Sequence, residues 1–183
     1  MNEKSVIKRR LYTHNQLLGA AAALSKEANG EGEFNNAMAC ALFCALALEA
    51  ALNYIGGTIF PLWDDHLQTK LSPEGKLALI ADHAQYEIKF GEAPFQAFRA
   101  VFELRNQLVH GKMQDLSYKT AKHWLVYGKH RWPAAQWETL CTAKAARSLL
   151  EDTKQMIAVL HRVCGVEAVP SFLLSEPVAH AQQ

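Results

Sequence analysis

The stretch AMACALFCALALEAALNYI, residues Ala37 to Ile55, decides the fold. It is about as long as a membrane span, yet Glu49 and Asn53 interrupt it and most of its other side chains are small alanines. A charge near the middle of a span costs about 2.5 to 3.5 kcal/mol on insertion scales. The stretch therefore reads as the central helix of a soluble bundle, about residues 34 to 55, with Gly56 and Gly57 as its terminators and no membrane as a partner.

Working outward, the punctuation on both sides is helical. Asn29, Gly30 and Gly32 close a first helix of about residues 4 to 28, in which Ile7, Leu11, Leu18 and Ala22 recur at helical spacing. Beyond the central helix an irregular stretch runs through Pro61 and Trp63. Ser72 then supplies an N-cap and Pro73 a first-turn proline for a helix of about 73 to 88, which Gly91 breaks. Pro94 opens a helix running to His110, with Gly111 as its left-handed terminator. Gly128 and Pro133 follow a segment of about 115 to 127. A long helix of about 134 to 164 ends at Gly165, its Leu149, Met156 and Val163 repeating every seven residues beside Leu150, Ile157 and Cys164. No stretch sustains the alternation of a strand, so the expected class is all-α: an up-and-down bundle of four to five main helices with a short irregular insertion. Residues 1–165 form one domain in this reading, and 166–183 a loosely held tail.

The totals agree with a single folded domain. A chain of 183 residues with 50% hydrophobic and 20% charged side chains buries a continuous core without disulfides or a structural metal. Cys40, Cys44, Cys141 and Cys164 form no C-x-x-C pair and have no histidine at zinc spacing, which points to buried thiols in a reducing cytoplasm. Lys8, Arg9 and Arg10 ahead of Leu17 to Leu24 look at first like a signal peptide, but the polar Thr13 to Gln16 separates charge from apolar run.

One residue breaks the pattern of the helix over 94–110. On a helical wheel Phe98, Val101, Phe102, Leu108 and Val109 share a face, and Arg105 falls in its middle. A buried cation is paired or faces a cleft where a partner arrives. Glu49, embedded in the most apolar helix, is the obvious internal partner; the cleft is the other reading. Asn106 and His110 lie four apart, adjacent on the helix and able to border one pocket with Arg105. In that arrangement Asn106 holds one imidazole nitrogen and leaves the other for proton transfer.

The run Arg105-Asn106-Gln107-Leu108-Val109-His110-Gly111-Lys112 resembles the signature of the HEPN family: arginine, a polar residue, then histidine near a helix end. The resemblance is carried by about residues 94 to 112 and, in architecture, by about 4 to 164. It implies a helical bundle that dimerises so that two motifs meet in one cleft. In the ribonucleases of that family the histidine and arginine support metal-independent attack of a ribose hydroxyl on the adjacent phosphate, while many other members serve as binding or assembly modules.

Local charge points the same way. Formal net charge is +1 overall, yet Leu104 to Ala135 holds Arg105, Lys112, Lys119, Lys122, Lys129 and Arg131 against Asp115 alone, six cations and one carboxylate, a net of +5. Tyr118, Trp124, Tyr127 and Trp132 interleave with them, a mixture that suits phosphate contact and stacking on single-stranded RNA. The same composition also describes a solvated face with inward aromatics. Asp64, Asp65 and His66, and Asp82, His83 and Tyr86, match no metal spacing. The expectation is a cytoplasmic, homodimeric endoribonuclease of HEPN type with neither metal nor cofactor, with a toxin or defence effector held by an inhibitory protein as its setting. Arg105, Asn106 and His110 are its catalytic candidates; Lys112, Lys119 and Lys122 are candidate RNA contacts. The alternative is a non-catalytic HEPN module that binds RNA, a nucleotide or a protein.

Overall fold

The computed structural model describes residues 9–111, 113–117, 134–168 and 176–177. The chain is an all-α up-and-down bundle whose main helices, among the described residues, are α1 (Thr13–Glu27), α2 (Glu33–Ile59), α3 (Pro73–His83), α4 (Gln96–Val109) and α5 (Ala143–Val163). A two-residue antiparallel pairing of Arg9 and Arg10 with Glu176 and Pro177 brings the two ends of the chain together.

The central position of α2 follows from its composition. By length and hydropathy it is apolar enough to cross a membrane. In the bundle it is packed instead by α1, α3, α4 and α5, and Cys40, Ala41, Cys44, Leu48, Leu52 and Ile55 are sealed from solvent. Its alanines let the neighbouring helices approach closely, as small side chains do at helix contacts. Cys40, Cys44 and Cys141 are buried and Cys164 half-buried. On α5 the expected stripe is present: Leu149, Leu150, Met156 and Ile157 are buried, with Val163 half-buried at its end.

Several boundaries differ from the sequence expectation, each for a local reason. The first helix begins at Thr13, with Leu11 half exposed ahead of it, while Ile7 lies outside the described residues. Gly56 and Gly57 do not end α2, which continues to Ile59. A Cβ on Gly56 would overlap the indole of Trp63, so that glycine serves close packing within the helix. Helix α3 has the foreseen cap, Ser72 Oγ accepting from the Gly75 amide at 3.1 Å, but stops at His83. There Gln85 takes a left-handed φ of 51° and the Tyr86 amide donates back to the Ala81 carbonyl, a helix stop made without the usual glycine. Gly111 is not left-handed; a Cβ there would press on the Gln107 carbonyl at 2.7 Å.

The single long helix expected over 134–164 is broken. A 3₁₀ turn, Gln136–Leu140, precedes α5, which starts afresh where Thr142 Oγ1 accepts from the Ala145 amide. Glu33 Oε1 also accepts from the Ala143 amide at 2.7 Å, tying the first turn of α2 to that of α5. Packing continues past Gly165 to Val166, which is buried. Residues 113–117 are non-helical, and the rest of the 115–127 segment lies outside the described residues.

Candidate functional site

The Arg105 face of α4 is buried as the wheel requires at Phe98, Val101 and Phe102, with Leu108 half-buried. Val109 departs from it, 58% exposed.

Arg105 is anchored on two sides. Its Nη2 lies 3.7 Å from Glu49 Oε2, and its Nη1 donates to Asn106 Oδ1 at 2.9 Å. Glu49 is shared: the other oxygen, Oε1, accepts from Lys76 Nζ at 3.3 Å. Lys76 is almost wholly buried, its side chain 3% exposed, whereas Arg105 and Glu49 keep 28% and 26%. One carboxylate thus faces two cations. It holds the buried lysine at hydrogen-bond distance and the arginine at a looser separation, so that among the described residues two cations share one carboxylate.

His110 follows α4 as its C-cap, and its amide donates to the Asn106 carbonyl at 2.9 Å. Its side chain is exposed. Asn106 and His110 line one open groove of about 500 Å³ with Gln107 and Gln114. Asn106 and Gln107 also border a second groove, of about 460 Å³, against Ser72 and Pro73 at the start of α3. Arg105 reaches this surface through the Asn106 amide. That amide oxygen is committed to Arg105, and among the described residues no hydrogen bond joins Asn106 to the imidazole of His110. Lys112, Lys119 and Lys122 lie outside the described residues, as do the aromatics between Tyr118 and Trp132. Among the described residues no group of three or more His, Cys, Asp or Glu side chains is placed to hold a metal.

Neither a family model, nor a curated protein, nor a solved structure matches the chain. Function therefore rests on the geometry of the chain's own residues.

A second polar cluster was not foreseen. His14 of α1 and His161 of α5 are buried at 2% and 3% exposure, with ring centroids 5.7 Å apart. Tyr54 of α2 stands 5.5 Å from His14 and 5.7 Å from His161, and Tyr12 packs edge-on against Tyr54. His161 Nδ1 lies 3.1 Å from the Glu167 carbonyl and 3.3 Å from that of Val166. A carbonyl only accepts, so Nδ1 carries the proton and Nε2 is the acceptor. Burial, then the charge of His161, pushes the His14 imidazole down to about 4. Burial also lowers His161, against the two carbonyls that favour its charged form.

Proposed function

We propose that the chain is a metal-independent endoribonuclease of HEPN type acting on single-stranded RNA. The observation that supports this reading best is the partly uncommitted guanidinium of Arg105. It is held to Asn106, which shares an open groove with the exposed His110. A phosphate arriving in that groove meets an amide tethered to a cation and a solvent-facing imidazole. In the proposed reaction the ribose 2′-hydroxyl attacks the adjacent phosphorus, loses its proton to His110, and forms the 2′,3′-cyclic phosphate as the bond to the 5′-oxygen breaks. The leaving oxygen takes up a proton, while Arg105 offsets the charge on the phosphoryl oxygens.

Apolar exposure beside the motif favours assembly as a homodimer at this end of α4. Val109 is 58%, Met113 96% and Leu116 44% exposed, an arrangement suited to a two-fold contact that doubles the phosphate-binding groups. A cytoplasmic toxin or defence effector restrained by an inhibitory protein is the biological setting that accords with such an activity.

The test is cleavage of single-stranded RNA with chelator present. The expected outcome is cutting by the wild-type chain, none by His110→Ala with an unchanged melting curve, and no cutting of DNA, which lacks the 2′-hydroxyl. Cleavage that survives in His110→Ala, or that needs a divalent metal, overturns the mechanism. A second reading, a non-catalytic RNA-binding module, is favoured by the contact of Arg105 with Glu49. It predicts RNA binding that weakens with salt and no product with any RNA.

A further inference from the structure

Between α1 and α5 lies a groove of about 480 Å³ on the flank of the bundle carrying the paired histidines. The two helices run antiparallel here, since residues early in α1 and late in α5 meet at one end. The middle of the groove is apolar, walled by Leu18 and Ala22 from α1 and by Ile157 and Ala158 from α5. Its two ends are polar in different ways. One carries Lys154, 45% exposed and only loosely paired with Glu151 at 3.7 Å. The other carries His14 and His161. Lys154 and His161 are two helical turns apart, about 10 Å along the axis.

Two features suggest that this groove is kept open for an occupant. Gly19 lies in the interior of α1, where glycine is among the poorest helix formers. A Cβ there meets nothing within 4 Å, so no close approach of another element requires the glycine. It does line the groove, and any larger side chain would narrow it. The second feature is the polar end itself. His14 and His161 are buried, yet both border the groove, so two imidazoles, with Asn15 beside them, close off the apolar middle at this end. No acidic side chain lines the groove among the described residues, and Glu151, the loose partner of Lys154, is not among its lining residues.

We propose that this groove binds a small aryl carboxylate bearing a hydroxyl at the opposite end of its ring. The carboxylate pairs with Lys154 and the ring lies between Leu18, Ala22 and Ile157. The hydroxyl donates to Nε2 of His161, the one nitrogen of that ring left as an acceptor. Burial keeps both imidazoles neutral at neutral pH, so the acceptor is available there. The volume falls within the range of small-ligand sites, and one ring with a polar group at each end suits a groove that is apolar between two polar ends.

The probe is 4-hydroxyphenylacetate, titrated into the full chain at neutral pH while the imidazole C–H signals of His14 and His161 are followed by NMR. Saturable shifts of both with a Kd of about 1 mM or tighter are expected. Phenylacetate, lacking the hydroxyl, should bind several-fold more weakly, Lys154→Met should weaken the probe about tenfold, and the cation 4-hydroxyphenethylamine should not bind. Gly19→Leu fills the groove while improving helix propensity, and should abolish the shifts in a protein that melts no lower than wild type. Should that variant fail to fold, Ala158→Trp at an exposed position blocks the same space. Absence of saturation by the carboxylate, equal binding of the amine, or undiminished binding in a folded groove-filling variant would overturn the proposal.

Discussion

Two polar residues on the central helix, Glu49 and Tyr54, sit in clusters of opposite physical kind. Toward α3 and α4, Glu49 joins Lys76 and Arg105 in a set of ion pairs. Toward α1 and α5, Tyr54 lies among Tyr12, His14 and His161, a set of rings in which burial disfavours the charged form of both imidazoles. Removing the partner of a buried cation leaves it uncompensated where water does not reach, so the cost appears on mutation of that partner. An imidazole sheds its proton instead, and its cost appears only when acid forces the proton back. The first cluster is therefore sensitive to mutation of a partner and the second to pH.

The largest expected effect is at Glu49. Glu49→Ala strands Lys76, whose side chain is 3% exposed, and should destabilise by about 3 kcal/mol or more in urea unfolding. Adding Lys76→Met should recover most of that loss by replacing the stranded ion with an isosteric apolar chain. Arg105→Ala should cost less, about 1 to 2 kcal/mol, since Lys76 and Glu49 remain paired and Arg105 is more than a quarter exposed. Equal losses for Glu49→Ala and Arg105→Ala would mean that Arg105, not Lys76, is the main partner of the carboxylate.

Acid should act on the other flank. The His14 imidazole is lowered from its ordinary value of 6.5 to about 4, so the unfolded chain binds the proton more readily than the folded one. That contribution is fully present above about pH 6.5 and is lost as pH falls toward 4, amounting to about 2 to 3 kcal/mol. Among the described residues, the rings packed against the pair are the phenols of Tyr12 and Tyr54, with Lys154 lining the same groove farther along α5 and Glu167 just past α5, its backbone carbonyl against His161. His14→Phe keeps a ring against Tyr54 and removes the titration. Its stability should fall less steeply between pH 6.5 and 4.5 than that of wild type, in urea unfolding across that range. Parallel profiles would show that His14 is not the group responsible.

The two clusters also differ in how readable they were. The charged one is carried by short spacings on one helix and by a lone glutamate in an apolar run, so Arg105, Asn106, His110 and Glu49 stand out by helical periodicity alone. Lys76, by contrast, looks like an ordinary surface lysine until the fold turns it toward Glu49. His14, Tyr54 and His161 come from three helices separated by some forty and some hundred residues. No local spacing links them, and the one sequence signal was polar residues at positions where α1 and α5 turn inward. Helix class and the core stripe of α5 followed from periodicity. Helix ends did not, because Gln85 serves where a glycine is usual and Gly56 serves packing rather than termination.

The smallest predicted effect separates structure from use at Gly19. Open space surrounds the point where a methyl would stand at that position, so Gly19→Ala removes backbone freedom from the unfolded chain and introduces no overlap in the folded one. It should stabilise the protein by about 0.5 to 1 kcal/mol, a rise of a few degrees in Tm. Both clusters should be left intact, so the Glu49→Ala loss and the acid profile should be the same in the Gly19→Ala background. A gain of that size means that the chain carries a weaker α1 than its packing demands, with the groove beside His14 as the feature the glycine preserves. A loss of stability would instead place Gly19 in a contact that α1 needs for folding, and would remove the physical reason for reading that wall of the groove as deliberately open.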